Sequence, residues 1–420
     1  MRTEPNDVEK SIALALEWEP TIQAWSHLEI ESVCAAFRSG AVIEGPLSGV
    51  PFAVKDVIDV AGFPTRFGSD AFEDAGPALG DAAVVAALRH AGGIPIGKTR
   101  TTEFAFIDPT ITRNPYDSNR SPGGSSSGPG AVVGSGIVPF ALGTQTAGSL
   151  CRPAAYCGAF AYKPSLGVLP TAGMSPLSPD FDAIGVIAQS AFWLRVVYDV
   201  LSDAFDIGKT GDAGIPEDRP LHIGLVQASE QQPAAGMKCR MESVVARLRQ
   251  GGHRVEAHRA AVSFDRVIGD HRTIMLAEAA AALLPMMTGR VELLQPRLRE
   301  ALIEGKDISG ARLAQARQRI RETRDSFWQH AGGYDLLLAY PVPDAAPAGL
   351  ATTGDQSYLT PWTAFGGPLV SVPAGLDADG LPLGVLLCAA PGKDAFLVDA
   401  ALIIASLMPP TPLPSRPSID

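Results

Sequence analysis

The sequence predicts an α/β protein in which a buried sheet is covered by helices, and three observations lead there. Apolar residues fill 46% of the 420 positions, yet Gly and Pro interrupt them throughout, which suits short buried strands rather than a fibrous or disordered chain. A helix, a glycine turn and a short apolar strand follow one another twice: Asp81 to Gly92 leads into Ile94-Pro95-Ile96, and a helical stretch from 239 passes through Gly251-Gly252 into Arg254-Val255-Glu256. Further apolar runs, such as Leu221-His222-Ile223-Gly224-Leu225-Val226, have the length of buried strands.

In chain order, residues 6–38 read as helical, in two pieces broken near Pro20, with Asp7 as N-cap and Ile12, Leu14, Leu16, Ile22 and Trp25 as apolar positions. Gly45-Pro46 ends this region, and Ser48-Gly49-Val50-Pro51 turns into the strand Phe52-Ala53-Val54-Lys55. Asp81 is placed to cap the next helix, Val84, Val85 and Leu88 form its apolar face, and Gly92 ends it. Ile137 to Leu142 reads as a buried strand between two Gly/Ser-rich turns. Residues 265–332 are helical and rich in arginine, a solvated cover with no chemistry assigned. Tyr334 to Ala339, Leu369 to Val372 and Leu381 to Cys388 read as strands. The proline-rich tail from 409 to 420 cannot hold a helix and is expected to fray. No long polar linker divides the chain, so 1–420 reads as one domain.

A net charge of −11, without a Lys/Arg cluster, argues against a nucleic-acid or acidic-membrane surface, so neither partner is expected. No run of about 18 apolar residues predicts a membrane span, and the polar N-terminus lacks the apolar region of a secretory leader. Cys34, Cys151, Cys157, Cys239 and Cys388 are odd in number, scattered and without a Cys-x-x-Cys pair, so neither disulfides nor a metal site are expected. A reducing cytoplasm is the expected home.

The chemistry concentrates between Ser121 and Pro153. Ser121-Pro122-Gly123-Gly124-Ser125-Ser126-Ser127-Gly128 is followed by Gly143-Thr144-Gln145-Thr146-Ala147-Gly148-Ser149-Leu150-Cys151-Arg152-Pro153. Such a backbone turns sharply and leaves N–H groups uncovered beside exposed hydroxyls, which is what a serine nucleophile and its oxyanion require. A phosphate loop is excluded because Pro129 stands where its lysine belongs, and no Gly-x-Gly-x-x-Gly fingerprint follows a strand. This stretch resembles the signature of the amidase signature hydrolases, which carry a Gly-Gly-Ser-Ser-[Ser/Gly]-Gly turn and, 24 residues after its first serine, a Gly-Ser closely followed by Arg and Pro. The resemblance runs from Leu47 to about Ala401. The wording from 143 to 158 is most similar to the short bacterial malonamidases.

The resemblance implies a single amidase-signature fold, with a mixed central sheet sandwiched between helical layers and a catalytic core at about 45–200. It implies Ser149 as nucleophile, Ser125 as a bridge after a cis Gly124–Ser125 peptide, and Lys55 as base. The backbone N–H groups of Thr146, Ala147, Gly148 and Ser149 would form the oxyanion hole. It implies hydrolysis of a small-molecule amide through an acyl-enzyme, with no metal or cofactor, and the homodimer usual in the family.

The residues themselves narrow the choice of base. The seven histidines lie in no Gly-x-Ser-x-Gly or His-Glu-x-x-His context. Lys10, Lys209, Lys238, Lys306 and Lys393 lie in polar stretches, while Lys98 and Lys163 sit in Gly-Lys-Thr and Tyr-Lys-Pro turns expected to be structural. Lys55 follows an apolar run and is either an edge-strand charge or a buried amine, and its Val-Lys-Asp wording matches the family's catalytic lysine. Ser126 reads as a turn-stabilising hydroxyl, Ser127 as near the site, and Glu103 as structural.

Three departures bear on specificity. Most members have Asp at Gln145, Arg at Cys151 and Asn at Thr363; here the arginine is Arg152, three residues past Ser149. Arg152 either grips a substrate carboxylate or serves structurally. Gln189 and Thr146 are further candidate substrate contacts. The functions weighed are hydrolysis of a short carboxylated amide (malonamate-like), hydrolysis of aryl or longer acyl amides, a subunit of a tRNA-transamidating complex, and a non-catalytic binding module.

Overall fold

The computed structural model describes residues 8–39, 43–207, 215, 219–228 and 230–417. Helix α1 (Val8–Ile22) carries Pro20 in its last turn. The chain then forms strand β1 (Trp25–Leu28) before helix α2 (Glu31–Arg38), so the expected pair of helical pieces is split by a strand. Asp7, the expected cap, lies outside the described residues. Strands β2 (Pro51–Lys55) and β3 (Ile94–Thr99) flank helix α3 (Ala83–His90) and pair in parallel. β1 closes this edge by pairing antiparallel with β3, which explains why Trp25 is buried in an extended segment. Ala82, not Asp81, is the N-cap of α3. The Asp81 carboxylate instead accepts from Ala61 N at 2.7 Å and pairs with Arg89.

The Gly/Ser-rich turn runs directly into helix α4 (Ser127–Gly134), an element the sequence analysis did not assign. Residues 135–139 are consumed in reversing the chain, with Gly136 at φ +77°. The expected strand therefore starts later, as β4 (Phe140–Gln145), and takes up Gly143-Thr144-Gln145, which had read as a turn. Helix α5 (Cys151–Tyr156), strands β5 (Phe160–Lys163) and β6 (Ala183–Ala188) and helix α6 (Ala191–Phe205) complete the first half. Lys98 and Lys163 thus lie in β3 and β5 rather than in turns.

The second half contributes β7 (His222–Gln227), α7 (Ala235–Gln250), β8 (Arg254–Arg259), α8 (Phe264–Met286), α9 (Pro296–Lys306) and α10 (Gly310–Ala331). It continues with β9 (Leu336–Ala339), α11 (Thr360–Ala364), β10 (Leu369–Leu376), β11 (Pro382–Cys388) and α12 (Asp394–Leu407). The eleven strands form one sheet in the order β1-β3-β2-β4-β6-β5-β10-β11-β9-β7-β8. Both ends contain parallel pairs and the middle is antiparallel, so the sheet is mixed.

Helices α4 and α5 pack on each other, and α6 and α12 on each other; both groups touch β5 and β6, which makes the sheet a middle layer. Helices α8, α9, α10 and α11 form the cover. It has its own core, in which Met275, Leu276, Leu283, Leu298 and Leu302 meet Phe104, Phe106 and Leu177. The proline-rich tail lacks regular structure as its composition dictates, but residues 409–417 are tied down rather than frayed. Tyr116 Oη donates to Pro412 O at 2.9 Å, Gly375 N donates to Thr411 Oγ1 at 3.2 Å, and Arg416 pairs with Glu17. The five cysteines are unpaired, and among the described residues no helix is long and apolar enough to cross a membrane.

Phe140 at the start of β4 stacks on Phe52 of β2 at 5.2 Å, with both rings fully buried. Phe140→Ala is expected to cost about 3–5 kcal/mol of stability, read by urea unfolding. A loss below about 1 kcal/mol would place the centre of the core elsewhere.

Candidate active site

The site forms where β2 and β4 end side by side. β2 delivers Lys55 at its C-terminus, fully buried because the strand is covered on every side. Lys55 Nζ lies 2.7 Å from Ser125 Oγ and 2.6 Å from Thr144 Oγ1. No carboxylate lies within ion-pair distance of it among the described residues. Burial pushes its pKa well below the ordinary 10.5; Asp182 pulls it back up and the Arg152 cation pushes it further down. The other two buried lysines differ. Lys98 is paired with Asp56 at 3.0 Å and also donates to Thr65 Oγ1, while Lys163, lowered to about 8 chiefly by burial, donates to Pro164 O. Of the three, only Lys55 contacts a serine hydroxyl.

The Gly124–Ser125 peptide is cis, and Ser125 is fully buried. Thr102 N donates to Ser125 O at 3.2 Å, and Ser126 N donates to Ser149 O at 3.1 Å, so the two serine turns abut. Ser149, just before α5, is 8% exposed against 0% for Ser125 and Lys55. Its hydroxyl makes no hydrogen bond to another described residue.

The loop from Thr146 to Ser149 is held by its carbonyls. His271 Nε2 lies 2.8 Å from Thr146 O, Thr363 Oγ1 donates to Ala147 O at 2.6 Å, and Arg152 N donates to Gly148 O at 3.1 Å. In a planar trans peptide the N–H points opposite to the C=O. The N–H groups of Ala147, Gly148 and Ser149 are therefore each aimed away from an anchored carbonyl, and none donates to another described residue. Gln145 supports the same loop: its Oε1 accepts from Leu150 N and Cys151 N, both at 3.0 Å, and its Nε2 donates to Thr363 Oγ1 at 2.9 Å. Two departures noted in the sequence, Gln145 and Thr363, are thus in direct contact.

Arg152 is not a surface residue, and among the described residues it forms no ion pair. It is 2% exposed, and its Nη2 donates to Gly124 O at 2.6 Å and Thr353 Oγ1 at 3.4 Å. Nε and Nη1 have no acceptor among the described residues. Gly148 has no side chain where a Cβ would crowd Leu359 at 2.9 Å and approach Arg152 Nη1 at 3.5 Å. The guanidinium therefore lies between the cis-peptide turn and the Thr146–Ser149 loop.

The structure separates the remaining candidates. Ser127 Oγ donates to Gly123 O at 2.7 Å and is buried within its own turn, so its hydroxyl is spent on the backbone rather than offered to a substrate. Ser126 Oγ is tied to Thr144. Gln189 is not brought to the site: it follows β6 beside Pro139, at the end of the β4–β6 pair opposite Gln145, roughly 17 Å along the strands. Glu103 accepts from Ser69 Oγ and Gln295 N and holds the cover to the core. Sequence reasoning missed Thr144, Asp182 and His271. Asp182 accepts from Thr146 Oγ1 at 2.5 Å and from the N–H groups of Leu177 and Ser178.

Comparison with known proteins decides the family. The amidase family model matches residues 8–398. The chain belongs to the amidase family. A 1-carboxybiuret hydrolase subunit of Pseudomonas sp. is 30% identical over 399 residues, covering 87% of this amidase and 86% of the relative. The 2-amino-5-chloromuconic acid deaminase of Comamonas testosteroni is 31% identical, covering 87% and 82%. The structure of the peptide amidase from Stenotrophomonas maltophilia matches with a TM-score of 0.79 at 24% identity, over 97% of this chain and 94% of that one. The protein is an amide hydrolase with the family's fold.

Thr363→Val removes the donor to Ala147 O and the acceptor for Gln145. It is expected to lower kcat about tenfold or more with little change in KM, with Thr363→Ser near wild type. A Val variant that keeps full kcat would show that the loop stands without this anchor.

Proposed function

We propose that this amidase hydrolyses a small carboxylated amide to a carboxylate and ammonia through Lys55, Ser125 and Ser149. The observation that carries the mechanism is the buried Lys55 amine against two hydroxyls, without a carboxylate partner. An amine so placed rests neutral, with an N–H for Thr144 Oγ1 and a lone pair for the Ser125 proton. As Ser149 Oγ attacks the substrate carbonyl, its proton passes to Ser125 Oγ and the Ser125 proton to Lys55 Nζ. The tetrahedral oxyanion is received by the N–H groups of the Thr146–Ser149 loop. The proton returns along the same path to the leaving nitrogen, the C–N bond breaks, ammonia departs and Ser149 is left acylated. Water enters, gives its proton to the relay and attacks the ester; the acid leaves and Ser149 is restored.

The substrate class rests on Arg152. A buried guanidinium with two nitrogens, Nε and Nη1, lacking an acceptor among the described residues is costly unless an acceptor arrives, and a substrate carboxylate fits that need in charge and geometry. Two relatives act on molecules whose names contain an acid group, the 1-carboxybiuret hydrolase subunit and the chloromuconic acid deaminase. That supports the carboxylated amide over aryl or longer acyl amides. A reducing compartment suits the five unpaired cysteines.

Ser149→Ala is expected to abolish labelling by a serine-directed phosphonate, and labelling of this variant at the wild-type rate would remove Ser149 from its role. Because the neutral amine is the active form and its pKa lies well below 10.5, kcat/KM should rise with pH and level off well under that value. A rising limb centred near 10.5 would contradict a buried neutral base. Arg152→Met should raise KM for malonamate at least about tenfold more than for a neutral amide such as propionamide. Equal losses would leave Arg152 a purely structural role.

A further inference from the structure

The cover helix α8 reaches the reacting loop at one point. His271, 2% exposed, faces inward from α8 with Nε2 2.8 Å from Thr146 O. A carbonyl only accepts, so Nε2 carries the proton. The ring is stacked on Phe181, with centroids 4.3 Å apart and planes at 27°, and the neighbouring Asp182 holds the hydroxyl of the same Thr146. Thr146 is thus clamped at its side chain from the turn before β6 and at its carbonyl from the cover. Thr146 C=O and Ala147 N–H belong to one peptide plane, so whatever fixes the first aims the second.

We propose that His271 is a positioning residue for the reaction: its Nε2–H holds the Thr146 carbonyl and thereby orients the Ala147 N–H toward the developing oxyanion. This rests on the loop of the proposed mechanism receiving that oxyanion. Burial lowers the His271 pKa to about 4, so the ring is neutral at working pH and brings no second cation near Lys55. The ring also borders a cavity of about 260 Å³ lined by Phe106, Ile107, Met275, Leu276 and Thr360. The cover therefore sets the geometry of the loop as well as shielding it.

The probe is p-nitrophenyl acetate, an activated ester that needs no carboxylate grip, assayed with the full chain. His271→Leu removes the donor and keeps the bulk; His271→Gln restores an N–H donor. The expected result is a loss of kcat of about 10–100-fold for His271→Leu, KM within about threefold, and recovery of most of the rate in His271→Gln. A His271→Leu enzyme with kcat within twofold of wild type, or a His271→Gln enzyme as slow as His271→Leu, overturns the assignment. Should His271→Leu fail to fold, His271→Asn, whose shorter amide does not span the gap, replaces it with the same expectation and the same refutation. Ser149→Ala is run alongside. If it keeps the wild-type rate, the nucleophile assignment and the role of His271 fall together. If it is silent while His271→Leu is as fast as wild type, only His271 falls.

Discussion

An amine buried without a counter-ion is the constraint on which the rest of the site turns. Lys55 Nζ has two hydroxyls within 2.7 Å and, among the described residues, no carboxylate in contact. Charging it there would leave a cation in a low-dielectric interior, so burial disfavours the charged form and lowers its pKa. Two charges flank it at longer range and oppose each other, Asp182 favouring the proton and Arg152 resisting it. Burial is the largest of these effects, which ties the state of the amine to the integrity of the sheet around β2 and β4.

The same sheet explains why the loop that follows is so firmly anchored. β4 ends at Gln145, whose side chain reaches across the start of α5 and to Thr363. Each of the next three carbonyls has its own donor: a histidine from α8, a threonine from α11 and a backbone N–H from α5. Their partners come from separate parts of the chain, so the loop is shaped by tertiary packing and not by local preference. A loop held in this way suits the proposed oxyanion site, because donors fixed in advance need no reorganisation when charge develops.

Much of this was legible in the sequence, and the limits are physical. Ser125 and Ser149 stood out because glycine and serine spacing is visible along the chain, and Lys55 because it ends an apolar run with a Val-Lys-Asp wording that resembles the family's lysine. The strands β2, β3, β7, β9 and β11 were readable as apolar runs between turns. β4 was displaced because the chain leaving α4 must reverse, and residues 135–139, with Gly136 at positive φ, are spent on that turn. β1 read as helix because its pairing with β3 overrides a helical pattern. Gln189 read as a candidate substrate contact, whereas the antiparallel register carries it to the end of the β4–β6 pair away from Gln145. His271 and Asp182 gave no signal, since their importance comes from contacts to Thr146 across 125 and 36 positions of chain.

The protonation state of Lys55 is directly measurable. With ¹³Cε-labelled lysine and a Lys55→Arg variant to assign its resonance, an NMR titration follows this one amine through pH. The account predicts a midpoint well below 10.5 and a neutral amine at the pH of turnover. A Lys55 resonance that titrates near 10.5, like an exposed lysine, would contradict it.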